Sequence, residues 1–417
     1  MNQFNPALHL GAADAAATET VQPSDRRQYR LTSIDIVRGL VILIMALDHV
    51  RDNMMMASVQ DPTTDPNVSP LLFATRWITH FCAPTFVFLA GVSAGLMSCR
   101  KTPGELGRFL AQRGLWLILI EVVVISTAFS FSPTGIAELG GRTMVALQVI
   151  WAIGASMVVL SGMQFLGPRA CLGAGLAIVF GHNALDAVWP PASMTSATGP
   201  LWVMLHARQA YEVGPFWVFN SYPLLPWTGI MLVGYAAARI FQTETKLRES
   251  RLVRIGGALV VGFVLLRALD VYGDPRSWHF DPDNLSASIM SFLAVTKYPP
   301  SLLYTLMTLG PAAIVCAYVD RLPGVIKNVL LQYGRVPFAF YVAHFYLIHS
   351  LCVLLGMSQG FQAQQMLTHY RFYPKGYGVG LGGVYLFWIF VVVLLYPLCR
   401  YVNAVKARRT DWWLSYL

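Results

Sequence analysis

Long apolar runs alternate along the chain with short polar connections, and the runs have the length of a bilayer crossing. An apolar stretch of about 17 to 25 residues spans the hydrocarbon of a membrane as an α-helix. Ten such windows occur, near 36–54, 78–98, 110–130, 144–165, 169–187, 222–241, 253–271, 300–319, 336–356 and 380–402. The fifth, RACLGAGLAIVFGHNALDAVW, is the least apolar, and the segment near Trp202 to His206 fits a re-entrant piece. The pattern predicts an all-α polytopic membrane protein with about ten transmembrane helices in one bundle over residues 32–403. A polar flexible tail (1–31), without the apolar core of a signal peptide, is expected before the bundle, and a short tail (404–417) after it.

Composition narrows the class further. With 55% hydrophobic and 12% charged residues, the 417-residue chain carries about half the charge of an ordinary soluble domain, which excludes a water-soluble enzyme. Its net charge of +9 raises the question of nucleic acid, and placement answers it. With both termini cytoplasmic, 21 of the 30 Lys and Arg fall on the inner side, among them Arg38, Arg100, Arg113, Arg248 and Arg335. This is the asymmetry that orients a membrane protein, so the partner expected is the lipid bilayer of the cell membrane and not nucleic acid. The six cysteines lie in or beside apolar stretches without metal-ligand spacing, and no metal is predicted. No two segments repeat each other, which weighs against an inverted-repeat transporter.

Scarce charge makes each ionisable group inside the bundle a candidate for function. Histidines concentrate toward the outer half, and histidine is the side chain suited to proton transfer near neutral pH. His49 ends the first helix. Asp52, three residues on, shares its helix face and can orient one imidazole nitrogen, while Asp48 lies one residue before it. In TRWITHFCAPTFVFLAG, Pro84 clashes with the carbonyl of His80 four residues earlier, so the helix is expected to bend at the histidine and free that acceptor. Arg76, one turn before His80, is placed to bind an anionic group or to pair with Asp48 or Asp52. In the ninth helix Tyr341 and His344 share a face, whereas His344 and His349 are about 140° apart and cannot hold one ligand together. Glu121, alone in the third helix, needs protonation or a basic partner. On the inner side Arg38, Arg113 and Arg335 open helices and suit phosphate groups as well as lipid headgroups.

Several strings together resemble a known family. ALDHVRD, TRWITHFCAPTFVFLAG, YPLLPWTGIMLVGYA, LRALDVYGDPRSW, SFLAVTKYPPSLLYTLMTLGP and YGRVPFAFYVAHFYLIH are similar to prokaryotic membrane proteins of the DUF1624 group, related to the catalytic domain of heparan-alpha-glucosaminide N-acetyltransferase. Arg38 and Gly39 followed by His49 also resemble the opening of the acyltransferase-3 family, in which the corresponding histidine is taken as catalytic. The lysosomal enzyme's essential histidine matches a position near Pro70, so His49 and His80 stand on their own placement. The resemblance implies a membrane acyltransferase that takes acetyl-CoA or another acyl-CoA from the cytoplasmic side and passes the acyl group to a sugar or glycolipid at the outer face. His49 or His80 is then the expected base, with Asp52 orienting His49. Arg76, Asp48, His344 and Tyr341 are expected at the acceptor, and Arg38, Arg335 and Arg113 at CoA. A homodimer is compatible with this reading. Two other classes stay open: a secondary transporter or proton-coupled carrier, and a non-catalytic membrane scaffold.

Overall fold

The computed structural model describes residues 31–56, 61–65, 67–188, 199–409, 411 and 414. The expected N-terminal tail, Leu31 apart, and part of the expected C-terminal tail lie outside these residues. From Thr32 onward the chain forms one compact unit.

The helices are α1 (Thr32–Met54), α2 (Pro70–Thr79), α3 (Cys82–Met97), α4 (Pro103–Ile120) and α5 (Ser126–Ser130), then α6 (Val149–Met163), α7 (Gly167–Gly181), α8 (Leu185–Val188) and α9 (Gly199–His206). There follow α10 (Leu224–Phe241), α11 (Thr245–Leu269), α12 (Leu285–Leu293), α13 (Leu302–Tyr318), α14 (Gly324–Gly334), α15 (Pro337–Ser358) and α16 (Leu381–Arg408). Among the described residues, eight helical runs are long and apolar enough to cross a membrane. The ten windows of the sequence reconcile with these eight in two steps. The run 149–184 divides at Gly167, whose φ of +84 turns the chain between α6 and α7. The tenth is α1, which carries too many charged residues to qualify on apolarity, yet its 23 residues reach about 34 Å. It packs against α2, α3, α13, α14, α15 and α16. Its charged residues are thus shielded by protein rather than exposed to lipid.

Three features depart from the sequence expectation. The window placed at 144–165 begins as a strand, β1 (Thr143–Leu147), and becomes helical only at Val149. β1 pairs in parallel with β3 (Phe216–Asn220), which pairs antiparallel with β2 (Gln209–Val213), so a small sheet covers one end of the bundle. The span 70–97 starts well before 78, because Ser69 caps α2 at Leu72 N–H and Pro70 sits in its first turn. Finally, α16 continues to Arg408, past the boundary at 403.

Glycine sets the closest helix crossing. A Cβ on Gly39 would lie 2.0 Å from the Leu330 carbonyl oxygen, and one on Gly334 would lie 1.7 Å from that of Asp35. The backbones of α1 and α14 therefore touch at the Arg38–Gly39 step, and no side-chain rotamer can relieve an added methyl there. Gly334→Ala is expected to lower the yield of folded, monodisperse protein sharply, whereas Gly324→Ala, which meets open space, is not. Size-exclusion profiles of the two variants check this.

A second set of contacts holds the loop between α12 and α13. Arg267, fully buried, donates to the carbonyls of Arg276, Ser291, Phe292 and Ala294 at 2.5 to 3.2 Å, a cation at the C-terminal end of α12. Asp274 accepts from Thr296 N–H, the Thr296 hydroxyl and the Ser301 hydroxyl. The segment carrying Lys297 and Tyr298 is thereby fixed beside α1.

Candidate active site

A roomy apolar cleft stands apart from the ionisable groups. A cleft of about 440 Å³ between α3, α7, α10, α11 and α13 is lined by apolar side chains such as Leu89, Leu176, Ile230, Ile255 and Leu309. Ionisable groups gather instead where α1 ends. Two small chambers meet there, both lined by Asp48, His49, Gln148 and Tyr222. The inner one, of about 20 Å³, adds Thr79, Cys82, Phe86 and Lys297. The outer, of about 50 Å³, adds Arg51, Asp52, Asp61, Arg76, Arg208, Tyr298 and Arg371.

His49 is oriented by His344. The two rings are stacked with centroids 5.0 Å apart, and His49 Nδ1 lies 2.6 Å from His344 Nε2. His344 Nδ1 lies 3.1 Å from the Phe340 carbonyl, which can only accept. His344 must therefore carry its proton on Nδ1, leaving Nε2 to accept from His49 Nδ1–H. A chain of donors thus runs from His49 to a backbone carbonyl, and it leaves the lone pair of His49 Nε2 free at the cavity. Tyr341 packs against both rings, 6.5 Å from His49 and 5.5 Å from His344. From its spacing on the helix, Asp52 is the residue expected in this orienting role. In the structure Asp52 is drawn to Arg51 at 2.5 Å instead, and the imidazole nitrogen it was to hold is taken by His344 from another helix.

Asp48 is the hub of the charged network. Its Oδ2 accepts from Arg76 at 2.6 Å, Arg51 lies 2.9 Å from Oδ1 as an ion pair, and Lys297 Nζ is 4.0 Å away. Arg76 also donates to Asp61 at 3.2 Å. The pairing of Arg76 with Asp48 expected from sequence is present, and it engages the guanidinium expected at the acceptor. Burial, the largest single influence, raises the pKa of Asp61, but the charge and hydrogen bond of Arg76 together with the Thr63 N–H outweigh it and hold the carboxyl well below the usual range. The sign follows. The contribution of Asp61 to stability is complete above the ordinary carboxylate pKa of about 4 and is lost as pH falls toward the folded value. An Asp61→Asn variant should show a flatter fall of melting temperature on acidification than wild type. Equal slopes would remove Asp61 from the network's pH response.

His80 sits at the break between α2 and α3, as Pro84 requires, and its freed carbonyl accepts from the Tyr304 hydroxyl at 2.7 Å. Its imidazole is fully buried, edge-on to Tyr304 at 5.4 Å, with both nitrogens unbonded. Thr79 and Cys82 line the cavity on either side of it, while His80 is not among the lining residues. His349 is separate too, its nitrogens each 2.9 Å from the carbonyls of Ala128 and Met366.

Glu121 accepts from Gln148 N–H at 3.2 Å, and the amides of Ile150 and Trp151 also face it. Its donors come from the N-terminal end of α6 and not from a Lys or Arg.

Of the three arginines expected at CoA, Arg38 lies in the first half of α1, Arg113 within α4 and Arg335 between α14 and α15. Arg38 donates to the Leu89 carbonyl at 3.1 Å and the Ser93 hydroxyl at 2.5 Å, and contacts Asp35 at 3.5 Å, which ties α1 to α3. Arg113 lies 5.5 Å over the Phe338 ring at the start of α15, three residues from the exposed Arg335. Arg38 lies eleven positions before His49 on α1, about 16 Å along the axis.

Lys297, Gln148, Asp61 and Tyr298 were not singled out in the sequence. Only Lys297 and Tyr298 carried a signal, as the polar centre of TKYPPS. Burial raises the pKa of the Tyr298 hydroxyl, yet Lys297, Arg76 and Arg208 together pull it below its ordinary value.

No curated protein matches the chain. Residues 30–266, more than half of its length and all of α1 to α10, match the family model described as heparan-alpha-glucosaminide N-acetyltransferase, catalytic, and the chain belongs to that family.

Proposed function

We propose that this protein is a membrane acetyltransferase that moves an acetyl group from acetyl-CoA to a sugar amine or hydroxyl, with His49 as the general base. The family supports membrane acetyl transfer as the kind of activity. The single observation that carries the assignment to a residue is the donor chain from His49 through His344 to the Phe340 carbonyl, which leaves His49 Nε2 as a lone pair in a polar cavity.

The steps follow from that geometry. His49 Nε2 takes the proton of the acceptor as the amine or hydroxyl attacks the thioester carbon. Lys297 and the Gln148 amide share the chamber with His49 and supply donors for the oxyanion. The carbon–sulfur bond breaks, and the His49 proton passes to the departing CoA thiolate. The same lone pair also permits an acetyl-histidine intermediate, which acid-quench trapping of radiolabel on His49 distinguishes from direct transfer.

The asymmetry of the basic connections supports an Arg38 end that faces the cytoplasm and a His49 cavity at the outer face of the cell membrane. The donor then enters past Arg113 and Arg335, and Arg38 serves packing. Sealed vesicles of known orientation, given radiolabelled acetyl-CoA on one face and glucosamine on the other, test this. Acetylated product on the acceptor side only when CoA is on the Arg38 side supports the reading. Uptake of sugar independent of CoA favours a transporter.

A further inference from the structure

The cavity above His49 carries more positive charge than its own carboxylates neutralise. Its lining holds five cations, Arg51, Arg76, Arg208, Lys297 and Arg371, against three carboxylates, Asp48, Asp52 and Asp61. All three carboxylates are engaged: Asp48 with Arg76, Arg51 and Lys297, Asp52 with Arg51, and Asp61 with Arg76. Arg208 and Arg371 have no carboxylate partner among the described residues. Both are exposed at the mouth and both stack on the Phe219 ring, at 5.4 and 5.7 Å, and Arg208 also lies 4.5 Å over Tyr298. Stacking on an aromatic face fixes a guanidinium plane while leaving its N–H edge open.

Two buried donors point the same way. Arg51 is 4% exposed, and its Nη1 has no hydrogen-bond partner although Nη2 is paired. Ser221 is 3% exposed, lines the same cavity, and its hydroxyl is also unpartnered. A buried donor without an acceptor is costly unless something bound supplies one. A neutral sugar can satisfy single hydrogen bonds. An excess of two positive charges in a confined mouth, together with open guanidinium edges, calls for an anion.

We infer that the mouth of the cavity is an anion-binding subsite for a carboxylate, phosphate or sulfate group carried by a substrate, built from Arg51, Arg208, Arg371 and Ser221. Its link to catalysis rests on the acetyltransferase reading, while its anion affinity does not. The same chemistry has two sources, an acidic group on the acceptor or a phosphate of CoA.

The experiment uses the full-length protein and the double variant Arg208→Gln/Arg371→Gln, whose side chains are exposed. Binding of inorganic phosphate and sulfate is measured by calorimetry, and transfer is measured with glucosamine against glucosamine 6-phosphate and with acetyl-CoA against acetyl-pantetheine. Wild type is expected to bind the free anions and the variant to bind them at least about tenfold more weakly. The preference in kcat/KM for glucosamine 6-phosphate over glucosamine should fall by a similar factor if the anion belongs to the acceptor. The preference for acetyl-CoA over acetyl-pantetheine should fall if it belongs to the donor. Anion binding without any acetyl transfer keeps the subsite and removes the acetyltransferase reading. Equal anion binding by wild type and variant, or none by either, overturns the subsite.

Discussion

Replacing His49 with alanine lowers acetyl transfer by about 10²- to 10⁴-fold, the range lost with a general base, in protein that folds normally. Folding is spared because the ring is partly open to the cavity and its one side-chain hydrogen bond goes to His344. His344 is the positioning residue behind it. His344→Phe removes the acceptor for His49 Nδ1–H and is expected to reduce kcat more than KM and to displace the acidic limb of the pH–rate profile. His344→Gln, which offers an acceptor, should recover part of the rate. A purely structural role for His344 would change yield without moving the profile. Asp52→Asn is expected to have the smaller effect, because Asp52 is held by Arg51 rather than bonded to the imidazole. Initial rates and pH profiles of the four variants in one detergent check the set.

Asp48→Ala is expected to be the most destabilising single change in the charged network, by about 3–5 kcal/mol, the cost of breaking a buried ion pair from one side. Asp48 is 8% exposed and neutralises parts of Arg51, Arg76 and Lys297, of which Arg51 and Arg76 are 4% and 6% exposed. Its loss leaves three buried cations with only Asp52 and Asp61. Asp48→Asn keeps the shape but not the charge and should recover little. The double change Asp48→Ala/Arg76→Met should be less harmful than the sum of its parts, since the residues share one interaction. Thermal unfolding in detergent micelles measures these variants and the Arg76→Met single change. Additive losses would mean that Asp48 and Arg76 are not coupled despite their 2.6 Å contact.

What the sequence made legible is what depends on local spacing. Apolar runs gave the spans, Pro84 gave the break at His80, and the three-residue step from Tyr341 to His344 put both rings on the face that meets His49. The missed parts depend on partners distant in the chain. His344 is 295 residues from His49, and nothing in either neighbourhood reveals the contact. Asp52 was chosen for proximity along one helix, but Arg51 beside it competes for the carboxylate and wins on charge. The donors to Glu121 stay hidden in the sequence because a helix N-terminus is not a residue type. β1 was read as helix because a short apolar run has no period of its own, and its pairing with β3 is a tertiary fact. Arg38–Gly39 carried the right emphasis for another reason: the glycine lets α14 touch α1, and the arginine ties α1 to α3.

The central claim is that acetyl transfer takes place at His49 Nε2. A structure of the protein with a non-hydrolysable acetyl-CoA analogue tests it most directly. The account predicts the thioester mimic in the inner chamber among His49, Gln148 and Lys297, with its carbonyl carbon in reach of an acceptor that hydrogen-bonds Nε2, and the nucleotide toward Arg113 and Arg335. An analogue bound with its thioester mimic away from that chamber, against His80 or in the apolar cleft beside α7, would contradict it.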